Sequence, residues 1–246
     1  MGDVKMYELP ARIRYSEVDL SKQLTVPSVV SYLQDCCSMQ SEDIGYGIDW
    51  LYKEHYGWYV IHWEIHIKRL PKLGEHIFVY TAANGFKGII STRSFRILDE
   101  SGEEVVIATS TWVLMDFDEK KPIRYPQDMT EAYGIEPKLE DSWMGRKLVL
   151  QDNLQEQYRF VVAKVQTDTN RHMNNVWYVA AAMECVPESF SVENLRIEYK
   201  KQAMLGDELI VMSKKATLDK NLNVYYVSLQ NILGECYTNI EIYGRD

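Results

Sequence analysis

The sequence predicts an α+β protein made of two tandem copies of one unit, each a long central helix wrapped by a curved antiparallel sheet. Three observations predict it. From Trp58 to Arg69 the residues alternate, with Tyr59, Ile61, Trp63, Ile65 and Ile67 on one face and Val60, His62, Glu64, His66 and Lys68 on the other, the pattern of a half-buried antiparallel strand. Val176 to Met183 is apolar nearly all round, so a helix there must be enclosed on most sides. The same order of elements also occurs twice. Asp168 falls on Asp19 at an offset of 149, and Leu205-Gly206-Asp207 falls on Leu73-Gly74-Glu75 at an offset of 132, as duplication of one supersecondary unit requires. The drop of 17 between the offsets implies a shorter helix and loop in the second copy.

The elements follow in order. Tyr7 to Tyr15 reads as an opening strand, and Ser16 to Gln23 as a polar loop. Val26, Val29, Val30, Leu33, Cys36 and Cys37 have helical spacing, with Thr25 or Ser28 to cap the start and Pro27 in the first turn. After the alternating strand, Leu73-Gly74-Glu75 turns the chain into Ile77–Ala83. Ile89–Leu98 and Val105–Asp116 then flank a hairpin turn at Asp99-Glu-Ser-Gly102. Residues 119–154, with Pro122, Pro126, Pro137 and no sustained period, read as a linker with short irregular pieces. The second copy has strands at 160–165, 208–215, 224–230 and 236–243, and Pro187 ends its helix. The expected domains are 1–118 and 155–246. A long helix enclosed by a curved antiparallel sheet is the hotdog arrangement, so the chain is expected to be a double hotdog.

Composition narrows the function classes. The chain has 246 residues and a net charge of −9, which argues against broad nucleic-acid binding. Four Cys, two of them vicinal (Cys36-Cys37), form neither a disulfide framework nor a CxxC site, and reduced thiols are expected. Residues 1–6 lack a signal-peptide core, and no apolar run approaches membrane-spanning length. A cytoplasmic protein with no membrane contact is expected. No His, Cys or Asp cluster has metal-ligand spacing, and no metal or cofactor is expected.

The chemistry is expected at Asp168-Thr-Asn170-Arg-His172-Met-Asn174-Asn175. If this loop is extended, Asp168, Asn170 and His172 share one face. Asn174 and Asn175 are good N-caps, so the trio would sit at a helix N-terminus, where free N–H groups can bind developing negative charge. Taken by themselves, Asp and Asn here are also ordinary turn formers. The first copy carries Asp19, Ser21 and Gln23 at these positions, keeping the carboxylate without the amide or the imidazole. That points to one active site, in the second copy, and to a structural share in the role of the aspartate.

The Asp-x-Asn-x-His-x-Asn-Asn run, the helix ending Glu184-Cys185-Val-Pro187 and the strand Ile197-Glu-Tyr199-Lys-Lys201 together resemble the acyl-[acyl carrier protein] thioesterases, the plant plastid enzymes and their bacterial relatives. The resemblance covers nearly the whole chain, and the missing transit peptide looks bacterial. It implies hydrolysis of acyl-[acyl carrier protein] to free fatty acid, with Asp168, Asn170 and His172 at the site. In the plant enzymes a Glu-Cys pair with assigned catalytic roles follows the basic residues. Here Gln202 and Ala203 stand there, so a cysteine nucleophile at that position is excluded, while the Gln202 amide can still hold a water.

Two mechanisms stay open: His172 activates water beside Asp168, or Asp168 is itself base or nucleophile. Backbone N–H groups near Asn175 and Val176 are expected to stabilise the oxyanion. The acyl chain is expected in the first hotdog, against Val29, Leu33, Trp63 and Ile65. Arg171, Lys68, Arg69, Lys72, Lys200 and Lys201 could gather as a docking patch for the acidic carrier protein and its phosphopantetheine phosphate. Alternatives are an acyl-CoA thioesterase and a non-catalytic acyl-binding hotdog protein, and a homodimer is left open.

Overall fold

The computed structural model describes residues 6–138, 148, 151–219 and 221–246. The chain divides into two compact units, residues 1–63 with 68–144 and residues 64–67 with 145–246. The first unit opens with β1 (Tyr7–Arg12), α1 (Val26–Asp43) and α2 (Ile48–Lys53), continues through β2 (Tyr56–Ile67), β3 (His76–Lys87), β4 (Ile90–Asp99) and β5 (Glu104–Asp116), and closes with β6 (Lys121–Ile123) and α3 (Gln127–Tyr133). The second holds β7 (Gln155–Val161), α4 (Asn175–Met183), β8 (Ser191–Tyr199), β9 (Glu208–Asp219), β10 (Leu222–Gln230) and β11 (Cys236–Arg245).

The strand orders coincide. The first unit runs β1-β3-β4-β5-β2 and the second β7-β9-β10-β11-β8. Both are antiparallel, with β6 added to β5. This is the double hotdog. The offset drop has a location: α4 has 9 residues where α1 has 18, and α2 has no counterpart among the described residues of the second unit.

Each helix starts where its cap stands. Thr25 Oγ1 accepts the Ser28 N–H at 3.3 Å, and Pro27 occupies the first turn, where a missing N–H costs nothing. Asn174 Oδ1 accepts the Val176 N–H at 3.1 Å. Val29, Val30, Leu33 and Cys36 form the buried stripe of α1, each with no exposed surface. Burial of such side chains stabilises by about 1.5–3 kcal/mol each.

Four expectations shift. The opening strand ends at Arg12, because residues 15–17 form a single 3-10 turn whose Glu17 carboxylate accepts the Arg14 N–H at 2.8 Å. β2 is buried on both faces: His62 is 4% and Glu64 3% exposed, so alternation marked the strand correctly but not a solvent face. β3 continues four residues past Ala83. Residues 121–133, expected in a linker, carry β6 and α3. Met129 and Tyr133 of α3 pack with Ala83 and Leu114 in a cluster ringed by Tyr46, Trp50, Trp58, Phe86 and Tyr125. This stretch belongs to the first unit.

Candidate active site

The Asp168 loop is a tight turn and not an extended segment. The Asp168 N–H donates to the His172 carbonyl at 2.8 Å, and the Arg171 N–H to the Asp168 carbonyl at 3.0 Å. Arg171 takes φ 64 to close it. The Asp168 carboxylate is the internal brace: Oδ1 accepts the Asn170 N–H at 2.8 Å and the His172 N–H at 3.1 Å, an Asx turn. Asp168, Asn170 and His172 are half-buried while Thr169 and Arg171 are exposed. The turn thus leaves these three half-buried and the two residues between them exposed, by a route other than strand alternation.

Neighbouring segments fix the loop. The Met173 N–H donates to the Ala203 carbonyl at 2.8 Å, the Asn174 N–H to the Gln166 carbonyl at 2.8 Å, and His172 bridges to Met204. The His172 backbone is therefore held beside residues 203–204, the segment that follows Gln202. Gln202 is half-buried, and Ala203 is fully buried. Burial lowers the His172 pKa below the ordinary imidazole value, with the nearby Asp168 charge opposing. The ring is neutral at pH 7 and can accept a proton.

Two tyrosines, missed in the sequence, organise this site. The Tyr178 hydroxyl, 1% exposed, accepts the Ala203 N–H at 2.8 Å. The Tyr199 hydroxyl donates to the Asn175 carbonyl at 3.0 Å, and the two rings meet edge to face at 5.7 Å. A tyrosine inside an otherwise apolar helix was the available signal, since a buried hydroxyl needs a partner.

The first unit repeats the backbone hydrogen bonds of the loop. Asp19 Oδ1 accepts the Ser21 N–H at 2.8 Å and the Gln23 N–H at 3.0 Å, Lys22 takes φ 64, and the Leu24 N–H donates to the Pro71 carbonyl at 2.8 Å. Pro71 stands where Ala203 stands in the second unit, and Val29 where Tyr178 stands. Pro71 has no N–H to satisfy and Val29 no hydroxyl to offer.

Several expected roles meet different surroundings. The Val176 N–H, expected to face an oxyanion, is taken by the Asn174 cap. Val29, Leu33, Trp63 and Ile65 are 0–1% exposed, so they are core side chains in this structure. The basic residues are paired: Lys68 with Glu104 at 2.6 Å, Arg69 with Glu75 at 2.9 Å and Asp99 at 2.7 Å, Lys200 with Glu198 at 3.4 Å, and Lys201 with Glu235 at 2.7 Å. Arg171 is exposed at the loop tip. Cys36 and Cys37 are buried, and burial pushes the Cys37 thiol up to about 11, far from a reactive thiolate. Among the described residues no group of His, Cys, Asp and Glu is placed to hold a metal ion, and no helix is long and apolar enough to cross a membrane.

The sequence matches the acyl-ACP thioesterase N-terminal domain over residues 5–133 and the acyl-ACP thioesterase C-terminal domain over residues 150–243. The chain belongs to the acyl-ACP thioesterase family. A chloroplastic oleoyl-acyl carrier protein thioesterase 1 of Arabidopsis thaliana is 25% identical over 217 residues, 79% of this chain and 60% of that protein. A chloroplastic palmitoyl-acyl carrier protein thioesterase of Cuphea hookeriana is 26% identical over 246 residues, 90% of this chain and 57% of that protein. The chain thus spans about three-fifths of the length of these relatives. Its fold matches an acyl-ACP thioesterase from Bacteroides thetaiotaomicron with a TM-score of 0.84 at 18% identity, over 98% of each chain. It matches the 12:0-ACP thioesterase from Umbellularia californica with a TM-score of 0.84 at 19% identity, over 98% of this chain and 97% of that one. Within this family the Asp168 loop lies in the C-terminal domain and its Asp19 counterpart in the N-terminal domain.

Proposed function

We propose that this chain hydrolyses the thioester of acyl-[acyl carrier protein], releasing a free fatty acid and ending chain elongation. One observation carries the reading to particular residues. In this family chain, two loops with the same backbone hydrogen bonds differ by an amide and an imidazole, and the imidazole, His172, is half-buried with a lowered pKa.

His172 is the general base in this proposal. A water held near the Gln202 amide attacks the thioester carbonyl and gives its proton to the neutral imidazole. The Asn170 amide donates to the oxyanion that forms. Collapse breaks the C–S bond, and the departing thiolate takes the proton from His172. Asp168 is a positioning residue: its Oδ1 holds the backbone of Asn170 and His172, and its charge favours the transient imidazolium. No covalent acyl-enzyme is needed, since Ala203 offers no nucleophile. Arg171 meets the phosphopantetheine phosphate of the carrier protein, the acyl chain lodges in the first unit, and the reaction is cytoplasmic.

Turnover of acyl thioesters on carrier protein and on CoA, measured in parallel over a chain-length series, tests this. The expected result is faster hydrolysis on carrier protein, lost in His172→Ala. Near-normal rates in both His172→Ala and Asp168→Asn would remove the site assignment, a CoA preference would change the carrier, and acyl binding without hydrolysis would leave a binding protein.

A further inference from the structure

The buried stripe of α1 changes character along its length. Val29 and Leu33 are apolar and fully buried, yet two turns on, about 10 Å along the axis, the stripe reaches Gln40 and Ser41, each 8% exposed. The sheet changes in the same direction. On β4, Phe95 lies with its ring 4.9 Å from Trp63. The next inward residue, one strand step of about 7 Å away, is Arg93, 6% exposed.

Arg93 is a buried cation with neutral partners. Its guanidinium donates to Gln40 Oε1 and, through Nε, to Thr81 Oγ1 at 3.3 Å. It lies 5.3 Å from the centre of the Tyr133 ring, whose hydroxyl is 2.7 Å from Ser41 Oγ. Among the described residues it forms no ion pair with a carboxylate. The ion-paired arginines of the first unit, Arg14, Arg69 and Arg96, sit nearer the surface. A buried charge is costly without an opposite charge or a full set of acceptors, and a guanidinium has five N–H donors to satisfy. Its register partner on β3 is Ala83, which offers no acceptor side chain. The aromatic cluster around α3 closes the space beyond.

We propose that Arg93 is a specificity residue at the far end of the acyl pocket. An acyl chain long enough to reach it is accepted when its far end carries an acceptor oxygen, best a carboxylate, and is rejected when it ends in a methyl group. This rests on the proposed function to the extent that the acyl chain lodges between α1 and the sheet of the first unit. A terminal carboxylate supplies the opposite charge that Arg93 lacks, whereas a methyl group would remove acceptors from around the cation and return none.

The test is binding, so that it is separate from catalysis. Acyl-pantetheine amides, with an amide in place of the thioester, block the head group and resist hydrolysis. Matched pairs ending in methyl or in carboxylate, over increasing chain length, are titrated calorimetrically into the full chain. The expected result is equal binding of short pairs and, beyond one length, at least about tenfold tighter binding of the carboxylate-ended member, as a charge-assisted hydrogen bond supplies. Arg93→Met loses that preference and Arg93→Lys keeps part of it, with melting curves showing that both are folded. Equal binding of both members at every length in the unaltered chain overturns the proposal, as does a preference that survives Arg93→Met. The two readings fail separately. Hydrolysis that depends on His172 without any end preference removes Arg93 alone, and an end preference without hydrolysis of any carrier-protein thioester removes the enzymatic reading alone.

Discussion

The loops at 19–23 and 168–172 share a backbone down to single hydrogen bonds, and they differ in what they hold. Both are closed by an aspartate whose Oδ1 accepts two N–H groups, and both place a residue at φ 64 before the last position. Asp19 and Ser21 are exposed, whereas Asp168, Asn170 and His172 are all half-buried. The shared carboxylate therefore belongs to the scaffold, and the chemistry belongs to the residues that differ. The difference extends to the adjoining segment, where Tyr178 of α4 satisfies the Ala203 N–H and the first unit has Val29 and Pro71, a pair with neither group.

The largest effect that can break this comparison is expected at the aspartates. Asp168→Ala removes two acceptor contacts of a half-buried carboxylate. It should cost about 1–3 kcal/mol of stability and reduce turnover roughly 10²-fold or more through the displaced imidazole. Asp19→Ala, in an exposed turn, should cost about 0.5–1.5 kcal/mol and leave turnover near normal. Denaturant melts and steady-state rates on both variants check this. Asp168→Asn sharpens it: an asparagine Oδ1 can still brace the turn, so stability should be retained with partial activity. Complete loss of turnover in a stable Asp168→Asn would make Asp168 the base or nucleophile.

A smaller effect is expected at Tyr178. Tyr178→Phe leaves the buried Ala203 N–H without its acceptor, for about 1–3 kcal/mol. It should raise KM more than it lowers kcat, because segment 202–204 loses its tie to α4. The converse change in the first unit, Val29→Tyr, has no N–H at Pro71 to satisfy and should destabilise by overpacking, by about 1–3 kcal/mol, as a melting series would show.

The smallest effect is in pH dependence. The folded pKa of His172 is lowered by burial, so the unfolded chain takes up the proton first as pH falls. Stability from this group is therefore full above the unfolded value, near 6.5, and declines as pH drops below it. The base stays neutral over the same range, so the acid limb of kcat/KM should fall at a pH below 6.5, as a rate profile would show. A limb at higher pH would mean that the group titrating is not this imidazole.

Much of this was legible in the residues. The tandem repeat, the hairpin turns and the start of α1 at Thr25 are local or periodic signals, and the structure follows them. The positions that misled depend on tertiary surroundings. Alternation in β2 marked His62 and Glu64 as a polar face, but sequence period does not reveal what covers that face. Residues 121–133 have no period because Pro122 sits inside a three-residue strand and Pro126 precedes a short one-sided helix, so their packing onto Ala83 and Leu114 was invisible. At 168–172 an extended segment is the simplest way to align alternate residues. The Asp168 side chain instead folds a turn that aligns them, and the repeated Asp at position 19 was the clue to that structural role.

The measurement that tests the central claim most directly is an exchange between the two loops. Turnover of acyl-[acyl carrier protein] is compared in His172→Gln, which gives the second loop the first loop's residue, and Gln23→His, which does the reverse. The expected result is a fall of roughly 10²–10⁴-fold in kcat for His172→Gln with an unchanged melting temperature, and near-normal turnover for Gln23→His. Near-normal turnover in His172→Gln, or a comparable loss in Gln23→His, would contradict the assignment of the chemistry to the second loop.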